Sequence, residues 1–359
     1  AEDGIRDYKV TGVQTCALPI SVRAGARAGF SRDPERLPTL AEAEAELVAR
    51  VLVWSNLRGV DSHGVLRIPG YLARVDNGLN NPTPKLALTV DTPAAAVLEA
   101  DRSFGQVALD RAMKIAIEKA SGCGIGLCLI RKTTHMGAIG YFTLEAAAEG
   151  MAGIAIAASR PNMAYPGARK AGISTSPIAI SVPGGKLPPL MLDMATATAS
   201  MGKIQLARDA GTPLGEGWAV DADGNPTTDA TKASIPTALG GPKGGGLALM
   251  FECLSSLMVG NPLIAPFVEG KTDGKPHMQN GFAMAIDISR FTDVGDYVSE
   301  VDRLIGAVKG LPKADGNPEI LVPGERGDAV LEQRRVDGIP LAAGTWKRLE
   351  EVAAPLGVA

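Results

Sequence analysis

Short apolar runs bounded by glycine alternate with helical patterns along most of this chain, and that alternation limits the folds open to it. Residues 125–130, 153–158, 178–182, 190–193 and 282–288 read as strands, and 94–99 as a shorter one. Between and around them, 39–57, 103–120, 140–150 and 296–309 carry helical spacing of apolar residues. The first of these sets Leu47, Val48, Val51, Leu52 and Trp54 on one face. A further apolar run, 247–259, follows a glycine-rich turn. Helices and strands interleaved in this way imply an α/β or α+β protein. Neither an internal repeat nor a low-complexity tract is found.

Composition narrows the class further. The chain has 359 residues, 45% hydrophobic and 21% charged, with a net charge of −3. A mildly acidic chain without a basic stripe is a poor nucleic-acid binder, and no apolar run approaches the ~20 residues of a membrane helix. Residues 1–21 read as a translated sequencing adapter, with Tyr8-Lys9 in the place of a variable index. They are expected to be non-native, with the native N-terminus missing. The rest, roughly 340 residues, suits one large domain or two to three smaller ones. Cys123, Cys128 and Cys253 form no CxxC pair, so neither a disulfide framework nor a zinc site is indicated and a reducing cytoplasm is expected.

Two of the three histidines lie in glycine-flanked polar segments. Ser62-His63-Gly64 is followed by Arg67 and Tyr71. Histidine titrates nearest neutral pH, and arginine grips carboxylates bidentately. On one continuous helix, His63, Arg67 and Tyr71 would share a face. A plain helix start capped by Ser62, with a solvated arginine face, accounts for the same residues. The second segment, Thr134-His135-Met136-Gly137, follows the strand 125–130, with Tyr141 close by in sequence. Here the competing account is a core or capping histidine. Gly240-Gly241-Pro242-Lys243-Gly244 precedes an apolar helix and suits a phosphate, or is a flexible turn. Asp193, at a strand end, suits a ribose hydroxyl, a histidine or a helix cap. His277 is expected on a surface loop. No G-x-G-x-x-G follows a strand; Gly122-Cys123-Gly124-Ile125-Gly126 precedes one instead. Any nucleotide is therefore held without the common Rossmann fingerprint.

These segments, taken in order, resemble the malate/L-lactate dehydrogenase family, which is distinct from the Rossmann-type lactate and malate dehydrogenases. The resemblance runs from about Gly29 to Val358 and rests on residues 57–64, 105–108, 134–139, 193–196, 241–244, 322–325 and 338–341. Within the family, 135–142 and 218–229 are most similar to the ureidoglycolate dehydrogenases. The resemblance implies an α+β fold. A non-Rossmann NAD(P)-binding domain with a mostly antiparallel sheet, 91–299, would sit beside a helical substrate and dimer domain, 22–90 with 300–359. It implies a homodimer and hydride transfer between NAD or NADP and a 2-hydroxy or 2-oxo acid such as ureidoglycolate, malate or lactate. His135 would be the general acid/base and His63 its catalytic neighbour. Ser62, Arg67 and Tyr71 would line the substrate pocket. Ser159, Asp193, Met194, Ala195, Lys243, Gly324 and Glu325 would contact the cofactor; no metal is implied. The rivals are an NADPH-dependent cyclic ketimine reductase and a catalytically inactive homologue. The chain departs from the family at Ser174-Thr175-Ser176-Pro177, Gly167-Ala168 and Gly281-Phe282, which bears on substrate and cofactor preference.

Overall fold

The structure, a computed structural model, describes residues 8–10, 42–272 and 278–356. Most of the expected adapter, the start of the first helix at 39–41, and His277 lie outside the described residues. Its frame is a seven-stranded sheet built from β1 (Ala87–Asp91), β2 (Ala95–Glu99), β3 (Ile125–Thr133), β4 (Met151–Ser159), β5 (Ile178–Val182), β6 (Leu190–Met194) and β7 (Gln279–Asp287). The strand order is β1-β2-β3-β7-β4-β5-β6. β2 and β3 run parallel, and every other neighbouring pair is antiparallel. The fold is thus α+β with a mostly antiparallel sheet. The long strand β7 enters between β3 and β4, which separates two segments that are close in sequence.

Alternation along the central strands explains the layers. Cys128, Ile130, Ala155, Ala157, Ala283 and Ala285 point to one face, where the main core lies. Leu129, Ile156 and Phe282 point to the other and meet Phe251. Helices α1 (Glu42–Leu57), α2 (Ile68–Asp76), α3 (Gly105–Cys123) and α4 (Gly140–Ala148) belong to the first face. There Val48, Val51 and Leu52 of α1 and Leu109, Met113 and Ala116 of α3 are buried in the same core. Further on come α5 (Met201–Ala210), α6 (Pro242–Glu252), α7 (Val294–Lys309), α8 (Glu325–Asp337) and α9 (Ala343–Ala353). The apolar run 247–259 is α6 continued by a π-turn, Cys253–Leu257. Tyr8–Val10, within the segment expected to be adapter, pairs antiparallel with Ile339–Leu341. Among the described residues no helix is long and apolar enough to cross a membrane.

Glycine sets how closely α3 and α4 approach the sheet. A Cβ at Gly126 would lie 1.9 Å from the Ala116 carbonyl oxygen of α3, and one at Gly153 2.6 Å from that of Thr143 in α4. These two positions therefore set how closely the C-terminal half of α3 and the helix α4 lie on the sheet, on either side of the β3–α4 connection that carries His135. Gly126→Ala should cost about 1–3 kcal/mol through forced displacement of α3, read as a lowered urea midpoint. Gly122→Ala, with nothing within 4 Å of its new methyl group, should leave the midpoint unchanged or slightly raised. Equal behaviour of the two variants contradicts this packing account.

Candidate active site

The first histidine segment is held by polar anchors rather than by helix propensity. Asp61 accepts hydrogen bonds from Asn56 Nδ2 at 2.6 Å and from Arg334 Nη1 at 2.7 Å, tying it to α1 and α8. The Asn56 Oδ1 atom accepts from the Val65 amide at 2.8 Å. A Cβ at Gly64 would fall 2.1 Å from that oxygen. Gly64 is therefore pressed against Asn56 in an extended conformation and splits the segment into two 3-10 turns, Asp61–His63 and Val65–Arg67, ahead of α2. The continuous helical face expected for His63, Arg67 and Tyr71 does not form. Ser62 does not cap a helix either; its hydroxyl bonds His63 Nδ1 at 2.9 Å. Arg67 turns back and donates from Nε to the Ser62 carbonyl at 2.6 Å, which keeps its guanidinium beside the two histidines.

The second segment arrives from the end of β3. Thr134 donates its hydroxyl to the Ser103 carbonyl at 2.9 Å. A Cβ at Gly105 would lie 2.4 Å from the Thr134 carbonyl oxygen, so the start of α3 rests directly on the backbone before His135. The two segments meet. The His63 and His135 rings stack with centroids 5.5 Å apart and 19° between planes. Tyr71 is expected in the pocket wall but is instead buried behind His135, its hydroxyl 2.7 Å from Nδ1. Tyr141, the tyrosine near His135 in sequence, packs edge-on against Trp54 and Phe142. Chain proximity misled here because α4 carries Tyr141 away from the loop.

A cavity of about 790 Å³ opens over these groups. Its walls include Ser62, His63, Arg67, Arg74 and His135 at one end. Elsewhere they include Ser159, Asp193, Met194, Ala195 and Gly324, so the expected substrate and cofactor residues share one space. Ser174 supports that wall, with its hydroxyl 2.8 Å from Ser159 Oγ and accepting from the Ser159 amide at 3.2 Å. Asp193 accepts from the Gly140 amide at the start of α4 at 2.8 Å. Arg58 donates to the Gly324 carbonyl at 2.9 Å and pairs with Asp328. Lys243 is exposed and lies outside the cavity wall, as does Glu325, which pairs with Lys309 and accepts from the Val322 amide. Neither joins the other expected cofactor residues.

Reading the sequence missed four cations in the wall: Arg74, Arg160, Lys203 and Arg326. Lys203 was findable. Ser200 is the N-cap of α5, its hydroxyl accepting from the Lys203 amide, and a capping serine before Met-Gly-Lys is a helix-start signal. Among the described residues, two buried hydroxyls, Ser176 Oγ and Thr196 Oγ1, have no hydrogen-bond partner, and both neighbours of each line the cavity. Unpaired buried hydroxyls, small side chains and scattered cations fit a polyhydroxylated, anionic ligand such as a nicotinamide dinucleotide.

The electrostatics favour neutral imidazoles. Burial, and then Arg67, push His63 down to about 4. Burial pushes His135 well below the ordinary histidine value, reinforced by Arg67, His63 and Arg74. Asp193 opens onto the cavity but is crowded by protein atoms, which push its carboxyl up to about 6 against the Gly140 hydrogen bond.

A sequence model of the malate/L-lactate dehydrogenase family matches residues 39–350. The chain belongs to that family. Among its members, malate dehydrogenase of Pyrococcus horikoshii is 36% identical over 327 residues, 88% of this chain and 90% of that one. L-sulfolactate dehydrogenase of Methanocaldococcus jannaschii is 36% identical over 324 residues, 88% and 92% of the two chains. The NAD(+) ureidoglycolate dehydrogenase of Escherichia coli O157:H7 is 32% identical over 319 residues, 86% and 89%. The solved P. horikoshii enzyme superposes with a TM-score of 0.85, covering 100% of this chain and 98% of that one at 31% identity.

The low histidine values carry a stability consequence. A histidine held neutral in the fold and titrating near 6.5 when unfolded contributes fully above about 6.5, and its contribution falls as pH drops toward its folded value. For His63 that window runs from about 6.5 down to about 4. Asp193 acts in the opposite sense below about 6, so the His63 part is read as a difference. The urea midpoint of wild type should fall more steeply between pH 6.5 and 4 than that of His63→Gln. Parallel curves would show that His63 is not held neutral by the fold.

Proposed function

We propose that this protein is a nicotinamide-dependent oxidoreductase that interconverts a 2-hydroxy acid and its 2-oxo acid. The observation that carries the reading is the stack of two neutral histidines beside Arg67 at one end of the cavity. Arg67 binds the substrate carboxylate; among the described residues no protein group bonds its Nη atoms. Nε2 of His135 takes the hydroxyl proton during oxidation and returns it during reduction, while His63 polarises the same oxygen. The nicotinamide, when bound, accepts or supplies the hydride at C2. Burial, reinforced by Arg67, His63 and Arg74, holds His135 neutral in the free protein, ready to accept a proton. A bound carboxylate offsets those two cations, so the ring is protonated more readily once a 2-oxo acid is in place.

Ser159, Asp193, Met194, Ala195 and Gly324 hold the cofactor in this reading, with Lys243 and Glu325 beyond the wall as outlying candidates. Residues 91–299 form the cofactor-binding part, and 22–90 with 300–359 the substrate and dimer part. The cofactor in this reading is NAD or NADP. The reading places the protein in the cytoplasm as a homodimer. An exposed apolar row of Leu247, Met250, Leu254, Leu257 and Met258 at helical spacing supports contact with a second copy.

His135→Ala should lower kcat by roughly 10²–10⁴ while the Kd for the nicotinamide cofactor, followed by fluorescence titration, stays unchanged. Near-normal turnover in that variant overturns the assignment. Arg67→Lys keeps the charge but loses the planar fork, and should raise KM for the acid about tenfold or more with a smaller change in kcat. A panel of malate, lactate, sulfolactate, ureidoglycolate and a cyclic imine acid, each with NAD(H) and NADP(H), identifies the substrate. Activity confined to the imine acid replaces the hydroxy-acid reading.

A further inference from the structure

Gln106, in the first turn of α3, is fully buried and does not line the cavity. Its Nε2 donates to the Tyr71 hydroxyl oxygen at 2.8 Å, and that hydroxyl lies 2.7 Å from His135 Nδ1. Its other amide atom, Oε1, is buried without a hydrogen-bond partner among the described residues. The space for this amide is reserved from a second direction. Gly137, two residues after His135, has φ +74°, and a Cβ there would stand 3.1 Å from Gln106 Nε2. The row Gln106, Tyr71, His135 therefore joins α3, α2 and the loop after β3.

Proton counting along that row decides what the amide does. To take a proton at Nε2, the neutral His135 ring must already carry its proton on Nδ1. In the reverse direction the imidazolium carries both. In each of these states Nδ1–H donates to the Tyr71 oxygen, and the one O–H of the phenol needs an acceptor on its far side. The amide oxygen of Gln106 becomes that acceptor after a half-turn of the amide, which pairs Oε1 with the phenol and moves Nε2 to the side where Oε1 stood, so one bond to Tyr71 is made in either arrangement. With Nε2 facing Tyr71 instead, the phenol hydrogen points to Nδ1 and the neutral ring holds its proton on Nε2, the form that cannot accept from substrate. Proton and hydrogen-bond counts balance in both arrangements, and no group outside the row is needed. We propose that Gln106 is a positioning residue that sets, through Tyr71, which nitrogen of His135 carries the proton. The proposal rests on the acid/base role of His135.

The test reads the tautomer directly. ¹⁵N-histidine NMR of the ligand-free protein near pH 7.5 gives the fraction of His135 with Nδ1–H, assigned by its loss in His135→Ala. That fraction should fall in Gln106→Met, which offers Tyr71 no acceptor oxygen, and rise above wild type in Gln106→Glu at a pH where the new carboxylate is ionised and can only accept. In step, kcat for hydroxy-acid oxidation should fall about tenfold or more in Gln106→Met, with cofactor Kd unchanged, and recover in Gln106→Glu. The charged groups around His135 (Arg67, Arg74 and His63) are the same in all three proteins, so the pH profile of kcat/KM should shift only with the Gln106 side chain. The same Nδ1–H fraction in all three overturns the proposal. Should Gln106→Met not fold, Gln106→Glu decides alone: a fraction no higher than wild type overturns it. The acid/base role itself is tested by turnover of His135→Ala, whereas the tautomer is read without turnover, so the two ideas fail separately.

Discussion

A hydrogen bond of 2.7 Å between the Tyr71 hydroxyl and His135 Nδ1 joins segments 64 residues apart, and the candidate site depends on it. Tyr71 comes from the helical layer and His135 from the end of a sheet strand. Neither ring would have a defined orientation alone. Fixing Nδ1 on the buried side leaves Nε2 as the nitrogen available to the cavity, where His63 stacks on the ring and Arg67 adds its charge. The close packing of α3 on Gly126, and of Gly105 at its start on the Thr134–His135 backbone, serves this bond, because it sets the depth at which the loop carrying His135 lies.

The electrostatic design follows from the same packing. Histidines are usually kept near neutral pKa by solvent, but these two sit among protein atoms with cations for neighbours, and both effects disfavour the charged ring. A site built in this way is poised for an anion. In the proposed reading, a substrate carboxylate on Arg67 also offsets the field of Arg67 and Arg74 on His135, which couples binding to proton affinity. Asp193 is tuned in the opposite direction across the cavity.

Much of this was legible in the sequence, for physical reasons. The strands 125–130 and 153–158 and the helix behind Gly105 have strong periodicity and appear with ends shifted by a few residues, while 178–182 appears with its ends unchanged. Periodicity left α/β and α+β both open; the resemblance to the dehydrogenase family is what pointed to α+β, and the absent Rossmann turn was readable from the lack of its glycine motif. His63, Arg67 and His135 stood out because polar residues between glycines are costly in a core. Tyr71 was named, but its place was not, since a helical register was drawn through Gly64, where contact with Asn56 forbids one. Lys243 stood out as a glycine-flanked cation, yet α6 exposes it away from the cavity. Gln106 lay in the family-like stretch 105–108, yet its place was not legible: it bonds a tyrosine 35 residues earlier, a contact that no spacing rule encodes.

The most direct measurement is a crystal structure of the protein with a nicotinamide cofactor and oxamate, an unreactive 2-oxo acid analogue. The account predicts the oxamate carboxylate on the Arg67 guanidinium and its oxo oxygen within about 2.6–3.2 Å of His135 Nε2, with Nδ1 still on Tyr71. Oxamate bound away from Arg67, or a His135 ring turned so that Tyr71 is released and Nε2 faces the core, would contradict it.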